Sequence, residues 1–535
     1  MRLLLISGLG PSVIHTGAFD GTLFADDVPR ELSDTYARLA GRPVDIRAFH
    51  LPAEHGRLLL RPSRGVAPHL PTATVRSILE GADIDHDWFA IDGIWSGKAE
   101  PTGDYAVVGL STTFIWDAAT LALVIAWIRA RFPAATLVLG GQYSNLKFAD
   151  ILARHPEVDF VIRGDAEFAL PAFIGALRGR GSLSDVPNLA WRGPDGSVQA
   201  PPLQYIDIES HPSPGFRGPL PMVPYESMRG CPFTCKFCSF PAASPKWRFK
   251  SAGKIVRDWA GYAEQNGAEL IKAYDSTFTI PPARFRQLLD ALPALGVPWE
   301  GYSRANALGS REIVDKLEAA RCRRLFIGFE SMNATALANM DKKVSVEQNR
   351  RAFEALKGSS LEVRGSFLVG YPGETAADYQ QTHDFLVQEY RGLFNVQFFL
   401  FTDETMPVWQ DAPIYDLEVT NGWTWTHAGM DSITAMRLRL KTLHEVRWKN
   451  DHAVNDVWQS AYTRPFMAGA PLSVNLKIEK ALERLGHVVK DFGDGEAAAE
   501  RCRALLDELT ALGVETRLPA VTGGVPDPVE HLGVA

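Results

Sequence analysis

Short apolar runs and longer amphipathic segments alternate in two regions of the chain. In the first region, the apolar runs predict buried strands, and the segments between them have the apolar spacing of helices. The predicted strands cover residues 1–8, 105–113, 136–141 and 158–164, and the predicted helices cover residues 117–132, 148–155 and 167–177. This alternation indicates a parallel sheet with helices on both faces. The pattern of residues 9–104 is too irregular for its strands to be placed.

A second alternation of the same kind begins near residue 225. Predicted strands cover residues 268–280, 297–306, 322–331, 361–375 and 395–402. Helical spacing between them covers residues 282–295, 310–321 and 345–358. A repeated β–α unit with polar residues at the strand ends indicates a full or partial parallel barrel, whose site lies at the carboxyl ends of the strands.

These patterns predict an α/β protein with four parts. Residues 1–180 form a doubly wound, Rossmann-like domain, and residues 181–224, rich in Pro, Gly and Ser, form a linker. Residues 225–402 form a partial (β/α) barrel. Residues 403–535 form a mostly helical region that caps the barrel, with predicted helices at 432–448, 474–486 and 496–512.

Composition narrows the class of protein. Of the 535 residues, 46% are hydrophobic and 22% are charged, which is typical of soluble globular proteins. The net charge of −8 argues against a nucleic-acid partner. The apolar run at residues 3–6 is too short to span a membrane, and no secretory signal follows it. Because Cys322 and Cys502 are isolated, we expect no disulfide framework and a cytoplasmic location.

Three of the five cysteines lie within the stretch RGCPFTCKFCSF, residues 229–240. Cys231, Cys235 and Cys238 have the spacing C-x-x-x-C-x-x-C, which one short loop can wrap around a metal centre. Thiolates are soft ligands that suit zinc or iron–sulfur clusters. Structural zinc sites and [4Fe–4S] clusters usually take four ligands, so three cysteines leave one position of a cluster open. A zinc loop is the alternative.

This spacing, followed by the β–α units, resembles the radical SAM superfamily. The resemblance implies a [4Fe–4S] cluster on the three cysteines, with S-adenosylmethionine (SAM) on the open iron and an external electron donor of the flavodoxin or ferredoxin type. It implies that Phe237 packs on the adenine of SAM, and it gives candidate catalytic residues Tyr274, Asp275 and Arg304. Further candidates for binding SAM are Glu330, Ser331, Val369 and Gly370. The G-G-E-P motif of many members is replaced by Tyr274-Asp275, as in cobalamin-associated members.

The strand ends of the first domain carry glycines, hydroxyls and amides, which permit tight turns and donate hydrogen bonds. The segments VVGLSTT, VLGGQYS and VDFVIRGDAE, in this order, resemble the cobalamin-binding domain that precedes many radical SAM enzymes. The resemblance implies cobalamin contacts from Ser111, Thr112, Thr113, Gly140, Gly141, Gln142, Tyr143, Gly164 and Glu167. The D-x-H-x-x-G motif is absent, so no histidine from that motif approaches the cobalt. Arg64 and His69 are candidates for the lower face, although exposed loop positions are favoured for both.

Together, the two resemblances imply a cobalamin-dependent radical SAM methyltransferase. It would transfer a methyl group from SAM, through methylcobalamin, to a carbon or phosphorus centre of a small-molecule or peptide precursor, as in antibiotic biosynthesis. The same two domains also serve cyclisation, rearrangement and non-radical methylation such as that of tryptophan C2. A zinc-binding, cobalamin-sensing regulatory module is the alternative from another class. In the capping region, two interpretations are open for Trp423, Trp425 and His427. They either line a substrate pocket or belong to the apolar core, and we favour the core.

Overall fold

A computed structural model describes residues 1–8, 36–39, 42–45, 58–59, 69–95, 97, 99–115, 118–401, 404–420, 422, 424–455, 466–467, 471–493 and 495–513. Two of the predicted functional positions, Arg64 and Trp423, lie outside these residues. Across the described residues, we find no helix with the length and apolar character that a membrane crossing requires.

Seven strands form the first sheet, in the order Val198–Gln199, Leu189–Arg192, Phe160–Ile162, Thr136–Gly140, Val107–Ser111, Leu3–Ser7 and His86–Ala90. The five strands from Phe160–Ile162 onward pair in parallel. The helices of this part are Leu70–Gly81, Ile91–Trp95, Ala118–Arg131, Gln142–Arg154 and Ala169–Leu177. Apolar side chains lie on both faces of the sheet in two core clusters. The predicted doubly wound architecture is confirmed.

The predicted linker contributes to both sheets. Its strands Leu189–Arg192 and Val198–Gln199 form an antiparallel hairpin that extends the edge of the first sheet. The strand Met222–Tyr225 then begins the second sheet. The Pro- and Gly-rich composition predicted turns and a short hairpin here, but it did not indicate that the hairpin and the strand Met222–Tyr225 join the two sheets.

Seven parallel strands form the second sheet, in the order Met222–Tyr225, Leu270–Ala273, Trp299–Arg304, Cys322–Glu330, Glu362–Val369, Gly392–Phe398 and Ala453–Asn455. The helices of this part are Phe240–Ala243, Ala252–Asn266, Pro282–Leu295, Arg311–Ala319, Ala334–Asn339, Val346–Leu356 and Ala376–Gln388. The strand order follows the chain, as successive β–α units of a barrel require. The last strand lies beyond residue 402, where the sequence predicted the barrel to end.

The two faces of the second sheet differ in chemistry. On one face, side chains such as Trp299, Leu325 and Phe367 belong to the main apolar core. Because side chains alternate along a strand, the other face carries polar residues, among them Glu300 and Arg304. This polar face continues to the carboxyl ends of the strands.

The C-terminal part contains three long helices, Ser432–Lys449, Leu472–Phe492 and Glu496–Ala511. The ammonium of Lys480, 3% exposed, donates hydrogen bonds to the carbonyl oxygens of Val446 and Ala453, which fastens the second of these helices to the last strand. Short two- and three-stranded ribbons are formed by Met228–Arg229 with Arg248–Phe249, Glu418–Val419 with Trp425–His427 and Met430–Asp431, Tyr36–Leu39 with Arg42–Asp45, and Leu58–Leu59 with Phe466–Met467. Short 3-10 helices cover Leu183–Asp185, Ala305–Ala307 and Pro407–Asp411.

Candidate functional site

The three predicted metal ligands lie on the loop that follows the strand Met228–Arg229. Cys235 is buried, Cys231 and Cys238 are half-buried, and the backbone N–H of Cys238 donates to the carbonyl oxygen of Cys235 at 3.1 Å. Burial raises the pKa of the Cys238 thiol to about 11, and the charges of the other two cysteines add to this rise. The thiols are therefore close enough to influence one another, and a bound metal would remove their protons.

The donor set of this loop fits an iron–sulfur cluster with one open iron. Cys322 begins a barrel strand and Cys502 lies in the helix Glu496–Ala511, so neither joins the loop. Within the described residues, no three His, Cys, Asp or Glu side chains converge as ligands of one metal ion. In a cluster each cysteine binds a separate iron, so its thiols surround a shared space and do not meet at one point.

Arg304 joins the barrel to the cysteine loop. Its Nη1 donates to the Sγ of Cys235 at 3.5 Å, and its guanidinium carbon lies 3.8 Å from the ring centre of Phe233. Its Nη2 donates to the carbonyl oxygen of Lys342. A fixed positive charge beside a thiol stabilises the thiolate form that binds metal. The structure therefore places the predicted Arg304 in direct contact with one predicted ligand.

Glu330 lies at the carboxyl end of its strand in the left-handed backbone region, with φ of 62°. Its Oε1 accepts a hydrogen bond from the Nζ of Lys342 at 2.6 Å, and both side chains are buried. The same Nζ lies 5.4 Å from the ring centre of Phe237. Lys342 thus brings the predicted Glu330 and Phe237 into one group, although no sequence pattern pointed to Lys342.

Ser331 and Asp275 hold backbone in place. The hydroxyl of Ser331 accepts from the backbone N–H of Asn333 at 3.1 Å. The carboxylate of Asp275 accepts from the N–H groups of Ser227 and Met228 at 2.7 and 3.0 Å, and from the Ser227 hydroxyl at 2.5 Å. Burial raises the pKa of Asp275. Its carboxylate therefore holds the segment that enters the cysteine loop.

Tyr274, the other half of the Tyr274-Asp275 pair, lies at the end of the second barrel strand. Its backbone N–H donates to the carbonyl oxygen of Tyr225 at 2.8 Å. The Nζ of Lys272 lies 5.2 Å from its ring centre. Tyr274 is half-buried, so solvent reaches part of its side chain. The ring therefore combines contact with a cation and partial exposure at the strand end.

The turn at Val369–Gly370 is packed on the C-terminal part. Gly370 has φ of 87°, and a Cβ there would lie 2.6 Å from the ring of Trp425. The N–H of Gly370 donates to the Oε2 of Glu374 at 2.8 Å. The ring of His427 stacks on Trp425, with centres 5.3 Å apart. Trp425 lies in the core, as the favoured interpretation of the capping region predicted.

The carboxyl ends of two strands in the first sheet meet closely. The buried Thr112 donates from Oγ1 to the carbonyl oxygen of Gly140 at 2.9 Å and accepts from the N–H of Ser144 at 3.0 Å. Gly141 has φ of 105°, and a Cβ there would lie only 2.8 Å from the backbone nitrogen of Thr113. The helix that contains Gln142 and Tyr143 begins at this contact, and the Ser111 and Thr113 hydroxyls are 3.4 Å apart.

The remaining predicted residues of the first domain follow the strand Phe160–Ile162. The N–H of Gly164 donates to the Oδ1 of Asn145 at 2.9 Å, which ties this strand end to the neighbouring helix. The Oε1 of Glu167 accepts from Arg229 at 2.6 Å. The predicted cofactor residue Glu167 is thus engaged with the other half of the chain. Sequence reasoning missed Arg229, because contacts between residues 62 positions apart leave no local signal.

His69 lies at the same edge of the first sheet. It precedes the helix Leu70–Gly81, and its ring centre lies 4.8 Å from that of Phe114. A Cβ at Gly8, just after the first strand, would lie 3.6 Å from the His69 ring. The half-buried histidine therefore packs beside the strand ends and is not on an exposed loop.

Comparison with known proteins identifies the domain that contains the cysteine loop. Residues 225–386 match the family model described as the radical SAM superfamily. The matched segment contains the cysteine loop, Arg304, Glu330 and the turn at Val369–Gly370. This part of the chain is therefore a radical SAM domain, as the cysteine spacing predicted.

The chain covers different fractions of the lengths of two relatives. An uncharacterized methyltransferase, PH0819, of Pyrococcus horikoshii is 24% identical over 366 residues, which are 63% of this chain and 78% of the relative. An anaerobic magnesium-protoporphyrin IX monomethyl ester cyclase of Synechocystis sp. is 24% identical over 248 residues, which are 44% of this chain and 50% of the cyclase. The chain thus spans about half the length of the second relative.

A solved structure shares the fold over most of the chain. The radical S-adenosylmethionine methyltransferase TsrM of Kitasatospora setae, with cobalamin and a [4Fe–4S] cluster bound, aligns with a TM-score of 0.56 at 13% identity. The alignment covers 84% of this chain and 98% of TsrM. The chain therefore contains a radical SAM domain at residues 225–386, preceded by a doubly wound domain, and its fold is similar to that of TsrM. The resemblance to cobalamin-dependent radical SAM enzymes that the sequence indicated is thereby confirmed.

Proposed function

We propose that the protein is a cobalamin-dependent radical SAM methyltransferase that acts on a small molecule or peptide. The observation that carries this proposal is a contact between the two domains: Arg229, two residues before the first cysteine of the radical SAM domain, binds Asp165 and Glu167 after a strand end of the doubly wound domain. Ligands of such sheets bind beyond the strand ends. When bound, cobalamin supplies a carrier for the methyl group, and the cluster supplies an electron to SAM.

The barrel side provides the ligands and their charged surroundings. Cys231, Cys235 and Cys238 would hold the cluster, and Arg304 fixes the orientation of Cys235 by its 3.5 Å hydrogen bond. Hydrogen bonds to cluster sulfurs tune the reduction potential. The buried Lys342–Glu330 pair beside Phe237 forms a polar surface next to the loop, where SAM would lie.

The first domain, residues 1–180, provides the surface for cobalamin. Gly141 lies so close to Thr113 that position 141 has no room for a side chain. This part of the edge is therefore formed by backbone atoms. In the first turn of the helix that begins at Gln142, the N–H of Ser144 donates to the Thr112 hydroxyl and the N–H of Asn145 donates to the carbonyl oxygen of Gly141, so this helix end is tied to the same edge. An electron donor of the flavodoxin or ferredoxin type remains part of the proposal.

Cyclisation is the second candidate, because one relative of this chain is a cyclase. The two activities differ in what happens to the methyl group of SAM. A methyltransferase passes it to the product, whereas a cyclase leaves the number of methyl groups in its substrate unchanged. Product mass therefore separates the two.

The assignment of the cluster is tested by removing its ligands one at a time. We expect Cys231→Ala, Cys235→Ala and Cys238→Ala each to lose bound iron and to lose release of 5′-deoxyadenosine from SAM under a strong reductant. The physical reason is that a cluster with two protein ligands has two labile irons. Iron, sulfide and deoxyadenosine are measured after anaerobic reconstitution.

Two other cysteines provide matched controls. Cys322→Ala and Cys502→Ala remove buried thiols far from the loop and should retain both iron and SAM cleavage. A full iron content in any of the three loop variants would contradict the assignment. Colourless wild-type protein that contains zinc would favour the regulatory alternative.

A further inference from the structure

Buried charged side chains join the two domains next to the cysteine loop. Asp165 and Glu167 follow the strand Phe160–Ile162 of the first domain. Arg229 and Arg248 lie opposite each other on the ribbon that carries the cysteine loop. None of these four side chains is more than 16% exposed. With Glu226, they form what we call the interdomain charge cluster.

Arg229 is the centre of this cluster. Its Nη1 donates to the Oδ1 of Asp165 at 2.9 Å, and its Nη2 donates to the Oε1 of Glu167 at 2.6 Å. The Nη2 also donates to Glu226 at 2.6 Å. Arg248 donates to both oxygens of Asp165, at 2.6 and 3.1 Å. The two guanidiniums thus clamp the end of the first sheet to the ribbon.

The cluster depends on Arg229 for its charge balance. Three carboxylates face two guanidiniums, and among the described residues Arg229 is the only cation paired with Glu167. The other oxygen of Glu167, Oε2, is buried and has no hydrogen-bond partner. A buried carboxylate that loses its cation is strongly destabilised. Asp165 and Glu167 therefore hold Arg229 in one place.

A displacement of Arg229 would also displace the first cysteine, Cys231. Only Gly230 separates Arg229 from Cys231, and a Cβ at Gly230 would lie 2.7 Å from the carbonyl oxygen of Lys246. The backbone here is tightly packed, so it cannot absorb a displacement by local bending. The hydrogen bonds of Asp275 hold the two residues before Arg229.

We propose that Arg229 is a positioning residue that sets the distance between the cysteine loop and the ligand edge of the first domain. Since this rests on the proposed function, the distance concerned is that between the cluster and the cobalt. Its two Nη groups bind three carboxylates in one fixed planar geometry, which a lysine ammonium does not reproduce. Arg229→Lys keeps the charge and loses this geometry.

The test uses full-length protein reconstituted with iron, sulfide and cobalamin, and reduced until both metal centres are paramagnetic. Electron paramagnetic resonance measures the dipolar coupling between cobalt and cluster, and chemical analysis measures iron and cobalamin. We expect Arg229→Lys to retain both cofactors but to lose the single, well-defined coupling of the wild type. Glu167→Gln should show a smaller loss, because Asp165 still binds Arg229. Arg447→Lys is the control, a buried arginine paired with Asp491 at 2.9 Å in the C-terminal part.

The outcomes separate this inference from the proposed function. A wild type that binds no cobalamin or no iron contradicts the proposed function. A coupling in Arg229→Lys identical to that of the wild type, with both cofactors bound, overturns the positioning role alone. If Arg229→Lys loses iron or does not fold, the coupling measured in Glu167→Gln tests the positioning role. Glu167 belongs to the first domain, so its substitution leaves the ribbon of the cysteine loop unchanged. An unchanged coupling there overturns the inference, and a loss supports it.

Discussion

At the scale of single residues, burial determines the protonation of two groups beside the Val369–Gly370 turn. Glu374 is 1% exposed, and burial raises its pKa to about 8. Burial lowers the pKa of His427 to about 4, and its Nδ1 accepts a hydrogen bond from the N–H of Gly429 at 3.0 Å. Near neutral pH both side chains are therefore uncharged, which suits a turn packed in the apolar core.

The raised pKa of Glu374 predicts how stability depends on pH. Between the ordinary value of 4.5 and about 8, the folded protein holds a proton that the unfolded chain releases. This stabilisation is complete below the ordinary value and is lost as the pH rises through about 8. We expect the Tm of the wild type to fall by about 2 °C or more between about pH 6 and pH 9, relative to Glu374→Gln.

Glu374→Gln keeps an oxygen that accepts from the N–H of Gly370 and removes only the titration. Thermal unfolding followed by circular dichroism at each pH measures the difference. Glu347→Gln, on the exposed side of the helix Val346–Leu356, is the control and should follow the wild type. Parallel pH curves for the wild type and Glu374→Gln would show that Glu374 is ionised in the folded protein.

The sequence revealed only part of the chemistry at this scale. The cysteines were predictable because three rare residues share one loop, and Arg304 because it ends a predicted strand. The partners Lys342 and Arg229 were not predictable. Lys342 follows the helix Ala334–Asn339 in a segment without a strand pattern, and only the folded backbone brings it to Glu330.

At the scale of elements, the contact between the first sheet's strand ends depends on one glycine. Gly141 combines a left-handed φ of 105° with a Cβ position 2.8 Å from the nitrogen of Thr113. Only glycine satisfies both conditions, because other residues are strained in this backbone region and would clash. The sequence predicted close approach to a ligand here, which stays a prediction; the close approach that the structure shows is to the neighbouring strand end.

We therefore expect Gly141→Val to lower bound cobalamin several-fold while iron content stays near that of the wild type. The substitution would separate the turn from Thr113, at a cost of about 1–3 kcal/mol for the strained backbone alone. Gly109→Ala is the matched control in the same sheet, because the nearest atom to its Cβ would be 3.9 Å away. Cobalamin retention equal to the wild type in Gly141→Val would place the cofactor elsewhere.

Elements with long apolar runs were predictable, and short edge strands were not. The strands Val107–Ser111 and Thr136–Gly140 are buried on both faces, so their continuous apolar sequence indicated them clearly. The final barrel strand, Ala453–Asn455, has only three residues and joins the sheet by pairing in parallel with Gly392–Phe398. Such short strands carry too few positions for a period to be recognised.

At the scale of the whole molecule, the two domains are fastened together beside the proposed site. The predicted linker suggested separate units, yet Arg229 and Arg248 bind Asp165 across the junction. The backbone N–H of Ile206, within the predicted linker, also donates to Asp165 at 2.9 Å. The ribbon that carries the cysteine loop is therefore bound to a strand end of the first sheet, as the proposed reaction with two cofactors requires.

If the proposed function is correct, the methyl group of SAM would reach cobalamin at the junction of the two domains. The most direct measurement mixes reduced, cobalamin-loaded protein with SAM that carries a deuterated methyl group, and then follows the label by mass spectrometry. We predict that the label appears in the bound cobalamin without any substrate, and that Gly141→Val lowers its yield in proportion to the cobalamin lost. Label that stays in SAM while cobalamin and cluster are both bound would contradict the methyltransferase assignment and favour a cyclase.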